Sequence, residues 1–179
     1  HDQTVGQLKR GISTPGSRIV TSATPATLTV SGSTSTLFDG ALTGQLNLVK
    51  TGSSTLTLGG AGNAFTGAVV VGGGALDLYS NATFGASQNI SLLAGSVRLR
   101  GDLSIQDSAT LRIANGALLR IDSGEEIVDS LYLNGVRQRR GTYGSTSSAA
   151  QNQDNSHFST SGSGVIKVLR GTESVFMVR

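Results

Sequence analysis

The sequence predicts an all-β chain, a right-handed parallel β-helix or solenoid with a loop-rich C-terminal cap. Short runs of alternating apolar and polar residues recur at nearly regular spacing, and clusters of Gly, Ser, Thr and Asn separate them. Composition points the same way: of 179 residues only 14% are charged and 4% aromatic, while 25 are Gly. That is a poor supply for an ordinary globular enzyme. It suffices for a solenoid, where Leu, Val and Ile stack in layers and each turn covers the one below.

Taken in order, the alternating runs place strands at residues 18–21, 27–30, 36–38, 45–50, 55–58, 68–71, 75–78, 89–93, 96–100, 103–105, 110–114, 118–122 and 127–133. Ser31-Gly32-Ser33, Gly72-Gly73-Gly74, Ala94-Gly95 and Asn115-Gly116 are turn clusters between them. With two or three strands in a turn of about 20 residues, residues 18–134 make roughly six turns. At about 4.8 Å per turn the rod is roughly 30 Å tall.

Local parity assigns the faces, because successive side chains of a strand point to opposite sides. Leu46, Leu48, Leu56, Leu58, Val69, Val71, Leu76, Leu78, Ile90, Leu92, Val97, Leu99, Leu103, Ile105, Leu111, Ile113, Leu119 and Ile121 are expected inward. Asn47, Thr57, Asp77, Arg98, Arg100, Ser104, Arg112, Arg120 and Asp122 then face water. Asn63, Asn81, Asn115 and Asn134 suit left-handed corners, which Asn tolerates better than most residues. Residues 1–136 form the turns of the solenoid. Residues 137–179 begin with Arg137-Gln138-Arg139-Arg140 and continue into a polar run with no apolar periodicity, read as a long loop packed at its ends by Tyr143 and Phe158. Final strands at 165–169 and 174–178 cap or extend the stack.

The run from Leu48-Val49-Lys50-Thr51-Gly52 through Thr55-Leu56-Thr57-Leu58 and Asn63-Ala64-Phe65-Thr66-Gly67 to Gly74-Ala75-Leu76 resembles the passenger-associated repeat of bacterial autotransporters. Ser54 stands where that pattern usually has Gly, and Phe65 where it has Tyr. Upstream, Phe38-Asp39-Gly40-Ala41-Leu42-Thr43-Gly44 is similar to the lead-in of such repeats. Downstream, Leu131-Tyr132-Leu133-Asn134-Gly135, Gly141-Thr142-Tyr143-Gly144 and Gly164-Val165-Ile166-Lys167-Val168 are similar to a C-terminal unit. The resemblance implies a bacterial surface protein whose turns, stacking stepwise, help draw the chain outward. Such repeats serve many roles, so the resemblance speaks to fold more than to function.

Cysteine is absent and Met177 is the single methionine, so no disulfide or thiolate site holds the fold. No apolar stretch approaches the roughly 20 residues of a membrane helix. No leader pattern precedes the first turn, which reads His1 as a processed or excised start.

Candidate chemistry is sparse. Asp154 and His157 with a serine are arithmetically a triad, but no nucleophile-elbow sequence occurs and a loop histidine beside Phe158 is the better reading. A copper brace would need His1 with His157. Asp122, Glu125, Glu126 and Asp129 form the one acidic cluster, better read as a solvated corner balanced by Arg120 than as a Ca²⁺ site. Arg100-Gly101-Asp102 spells an integrin-binding tripeptide that is more simply a turn. No catalytic residue, metal or cofactor is expected.

Arg98, Arg100, Arg112 and Arg120 share the outward parity, and the chain carries a net charge of +3. Stacked on adjacent turns they would make a cationic strip for acidic glycans or lipopolysaccharide phosphates, or would simply keep the rod soluble. Nucleic acid is disfavoured, since aromatic residues are few and not interleaved with the charges. The expectation is a non-enzymatic extracellular structural or adhesive segment at the surface of a Gram-negative-type bacterium, continued by flanking modules or like subunits end to end. A glycan- or polyanion-binding module and a self-assembling filament subunit are the alternatives.

Overall fold

The computed structural model describes residues 1–9 and 19–171. The strand expected at 174–178 and the start of that at 18–21 lie outside the described residues. Those residues are all β with no helix, wound as a parallel β-solenoid of about six turns. Registers between successive turns are offset by about 20 to 22 residues, as with Leu28↔Leu48, Val69↔Ile90 and Leu99↔Ile121.

Two faces stack most regularly. On one, Leu28, Leu48, Val69, Ile90, Leu111 and Leu131 lie in register. On the next, Phe38, Leu58, Leu78, Leu99 and Ile121 do the same. We call these the second and third faces; the first carries residues 41–44 and Ala64–Phe65. The columns are buried throughout, so one continuous apolar interior runs the length of the stack. The period-two pattern dictates this: one slip would turn every Leu to water.

The corner between second and third faces repeats most exactly. Gly52, Gly74, Gly95 and Gly116 occupy it in successive turns, all left-handed with φ between +64° and +81°. A Cβ on Gly95 would run into the Gly74 carbonyl, and one on Gly74 into that of Ser54, so glycine is required both by conformation and by close approach.

Four expectations need correction. Residues 103–105 form no strand: Leu103 is left-handed (φ +63°) and 70% exposed, and the turn it makes breaks the alternation, so that Ser104 and Ile105 are both buried. Asp77 is buried rather than solvated, because Arg100 covers it. Of the four asparagines only Asn134 is left-handed; Asn63 is buried and uses its amide to join three turns, accepting from the Leu42 N–H and donating to the Thr83 and Gly60 carbonyls. Finally, residues 137–157 are not a plain loop.

There Asn134-Gly135 forms a tight turn with both residues at positive φ, sending Val136–Arg137 back antiparallel to Ser130–Leu133. Gly141–Gly144 pairs antiparallel with Val165–Val168, which itself stacks parallel on Glu125–Val128. Tyr143 and Phe158 are buried, as the sequence predicts, and Phe158 bridges Leu119 to continue the third face. Side-chain amides and hydroxyls hold the polar run, including Asn155 Oδ1 accepting from the Thr146 N–H and Thr142 Oγ1 accepting from the Gln151 N–H.

Candidate functional site

The outward side of the third face carries most of the charged chemistry. Its strands align Thr57, Asp77, Arg98 and Arg120 across successive turns, with Thr55, Ala75, Ser96 and Leu118 in the parallel row two residues earlier. Long charged side chains beside a row of small ones leave a trough.

Charges in the wall are cross-linked between turns. Arg100 meets Asp77 of the preceding turn through both Nε (2.8 Å) and Nη2 (2.5 Å), and its guanidinium lies 4.9 Å from the centroid of the Tyr79 ring. Arg98 reaches forward to Asp122, with Nη2 at 2.7 Å and Nε at 3.1 Å, and Arg120 Nε donates to the same carboxylate at 2.6 Å. The bond from Arg98 holds the Asp122 carboxyl below its usual range, against partial burial and with help from Arg120. The bond to Asp77 likewise raises Arg100. Paired this way, the network is two Asp against three Arg.

Arg112 is elsewhere. It stacks with Ser91 and Tyr132 on the second face, its guanidinium 4.9 Å from the Tyr132 ring centroid. The four arginines therefore do not form one strip: shared parity puts them all outward, but outward from different faces of a closed turn. Arg98, Arg100 and Arg120 belong together and Arg112 stands apart.

The acidic cluster also disperses. Asp122 binds the arginines, Asp129 pairs with Arg170, Glu125 pairs with Lys167, and Glu126 turns inward. No group of three metal-ligating side chains occurs among the described residues. His1 sits beside the first turn, where Asp2 accepts from the Thr27 N–H, whereas His157 is held at Leu119 about four turns away, so they do not meet. His157 Nδ1 lies 2.6 Å from Asp154 Oδ2, but its buried Nε2 has no hydrogen-bond partner, and hence no serine hydroxyl to activate. Burial pushes Asp154 up, yet the bonds from His157 and the Ser156 N–H outweigh it and leave the carboxyl low. In the Arg-Gly-Asp tripeptide, Arg100 is committed to Asp77.

Comparison with family models, curated proteins and solved structures returned no match. The chain's own geometry carries the functional argument.

Two buried ionisable groups escape a reading by motif. Lys50 is fully buried, in register between Val30 and Val71 of an apolar column, with Nζ donating to the Thr51 carbonyl; burial lowers its pKa. Parity alone would have found it, since Lys50 shares the phase of Leu46 and Leu48. Glu126 is 1% exposed and accepts from the N–H groups of Ser104 (2.8 Å) and Ile105 (3.1 Å). Burial pushes its carboxyl up to about 7, against those bonds and with the neighbouring Asp102 adding repulsion. No pattern in the sequence distinguishes Glu126 from exposed Glu125.

Proposed function

We propose that this chain is a non-enzymatic structural segment of an extracellular bacterial surface protein, a stiff spacer that presents neighbouring modules away from the cell. The observation that supports the reading most is the stacking in register of apolar columns across about six turns, broken in one column by Lys50. Each turn is fixed by backbone ladders above and below, so bending the rod means breaking several hydrogen bonds at once. The resemblance to autotransporter-associated repeats supplies the cellular setting. Among the described residues no helix is long and apolar enough to cross a membrane.

Surface labelling of the producing bacterium tests the placement. Antibodies to this segment should label intact cells, and external protease should remove the label; labelling only after permeabilisation overturns the reading. Flanking modules or like subunits continue the stack at its ends. Light scattering of the isolated chain at rising concentration separates these, since only like subunits give length that grows with concentration.

A further inference from the structure

We propose that the trough on the third face is a binding site for a short oligosaccharide bearing carboxylate groups. It encloses 330 Å³ and is lined by Thr55, Ala75, Ser96 and Leu118 along one row and by Asp77, Arg98 and Arg120 along the other, with Ser159 closing one end. Ser159 is fixed there by its N–H bond to the Leu119 carbonyl. The row from Thr55 to Leu118 crosses three inter-turn steps, about 14 Å, a length suited to two or three sugar rings.

The chemistry of the wall selects the ligand. Asp77 is already neutralised by Arg100, whereas Arg98 and Arg120 share one carboxylate, Asp122, leaving one positive charge in excess at the trough. Arg120 spends only Nε on Asp122, and its two terminal nitrogens hold no hydrogen bond among the described residues. A guanidinium anchored at Nε presents that pair as a fork, the geometry that takes a carboxylate by two parallel bonds. Hydroxyls of Thr55, Ser96 and Ser159 and the carboxylate of Asp77 suit sugar hydroxyls, and half-exposed Leu118 suits the apolar face of a ring. Among the described residues no aromatic side chain lines the trough to stack a nucleic-acid base. A peptide strand finds no open ladder, because the backbone beneath is paired to the turns on either side.

The site depends on the face of the rod and not on where the rod is displayed, so this proposal and the surface reading fail separately. The test is titration calorimetry of the whole chain with a trimer of galacturonic acid and with its methyl ester, which keeps the shape and removes the charge. Saturable binding of the acid is expected, weakened about tenfold or more in the ester, in Arg120→Gln and at raised salt. Ser96→Phe, which fills the floor and leaves every charge in place, should abolish it, while Arg112→Gln on the other face should leave it intact. Equal binding of acid and ester, indifference to both Arg120→Gln and Ser96→Phe in variants with wild-type melts, or no saturation at millimolar trimer overturns the proposal.

Discussion

Two corners of the solenoid solve the same problem by different means. Between second and third faces, successive turns reverse through a left-handed glycine, Gly52, Gly74, Gly95 and Gly116, and at the first three a Cβ would meet a carbonyl of the preceding turn. Between third and first faces the turn at 100–105 is irregular: Leu103, not glycine, takes the positive φ, and the next two N–H groups are satisfied by Glu126 from the following turn. A repeated corner needs a residue without a side chain in every turn. A singular corner instead needs one buried side chain that accepts what the backbone has left unpaired. The first is intolerant of size; the second tolerates a side chain and rests on a group that titrates.

The largest effect belongs to the regular corner. Gly95→Val sets a β-branched residue at φ +74° with its Cβ against the Gly74 carbonyl, and no soluble folded protein is expected. Soluble yield and circular dichroism check this. Leu103→Val at the irregular corner, exposed and already carrying a side chain, should still fold; if the two variants behaved alike the distinction between corners would be lost.

Next in size is Glu126. Glu126→Ala orphans two buried N–H groups and should cost about 3 kcal/mol in denaturant unfolding. Its pH dependence has a definite sign. The folded carboxyl is raised from 4.5 to about 7, so the native state keeps a proton that the unfolded chain has released. The group's contribution is full below the unfolded value and is lost as pH rises through the folded one, up to about 3 kcal/mol over that window. Wild-type stability should fall between pH 5 and pH 8 by an amount on this order, and Glu126→Gln should flatten the slope. A wild-type profile that rises over this range contradicts the assignment.

Lys50 sits at the regular corner and tests the comparison from the other side. Its pKa is lowered by burial, so its contribution is present above the ordinary lysine value and is lost as pH falls. Lys50→Met, similar in volume and without charge, should leave stability unchanged or raise it by about 1 kcal/mol near neutral pH, as chemical denaturation would show. A loss of several kcal/mol would mean that the bond to the Thr51 carbonyl holds the corner together.

The smallest effect is Leu103→Gly. Relief of the left-handed strain is offset in part by the entropy of glycine, for a net gain of about 0.5 kcal/mol in thermal unfolding. A destabilisation there would show that the exposed leucine makes a contact the corner depends on.

The sequence by itself determined the all-β solenoid, its period and nearly all of its interior. A period of two within strands and of about 20 between corners leaves one closed arrangement that buries the inward-parity Leu, Val and Ile apart from Leu103. Leu103 escaped because alternation cannot report a left-handed residue that resets the phase, and Asp77 because burial by a partner's side chain is not a local property. Only the tertiary structure decided which outward residues share a face. Arg98 and Arg112 look equivalent by parity, yet the winding of the chain puts them on different sides of the rod. It also decided that one Asp serves two arginines, and that Glu126 rather than Glu125 lies inside. Apart from Arg120 with Asp122, these pairings join residues more than 20 positions apart, for instance Arg98 with Asp122 and Ser104 with Glu126. They are set by how each turn registers on the next, which no window of sequence contains.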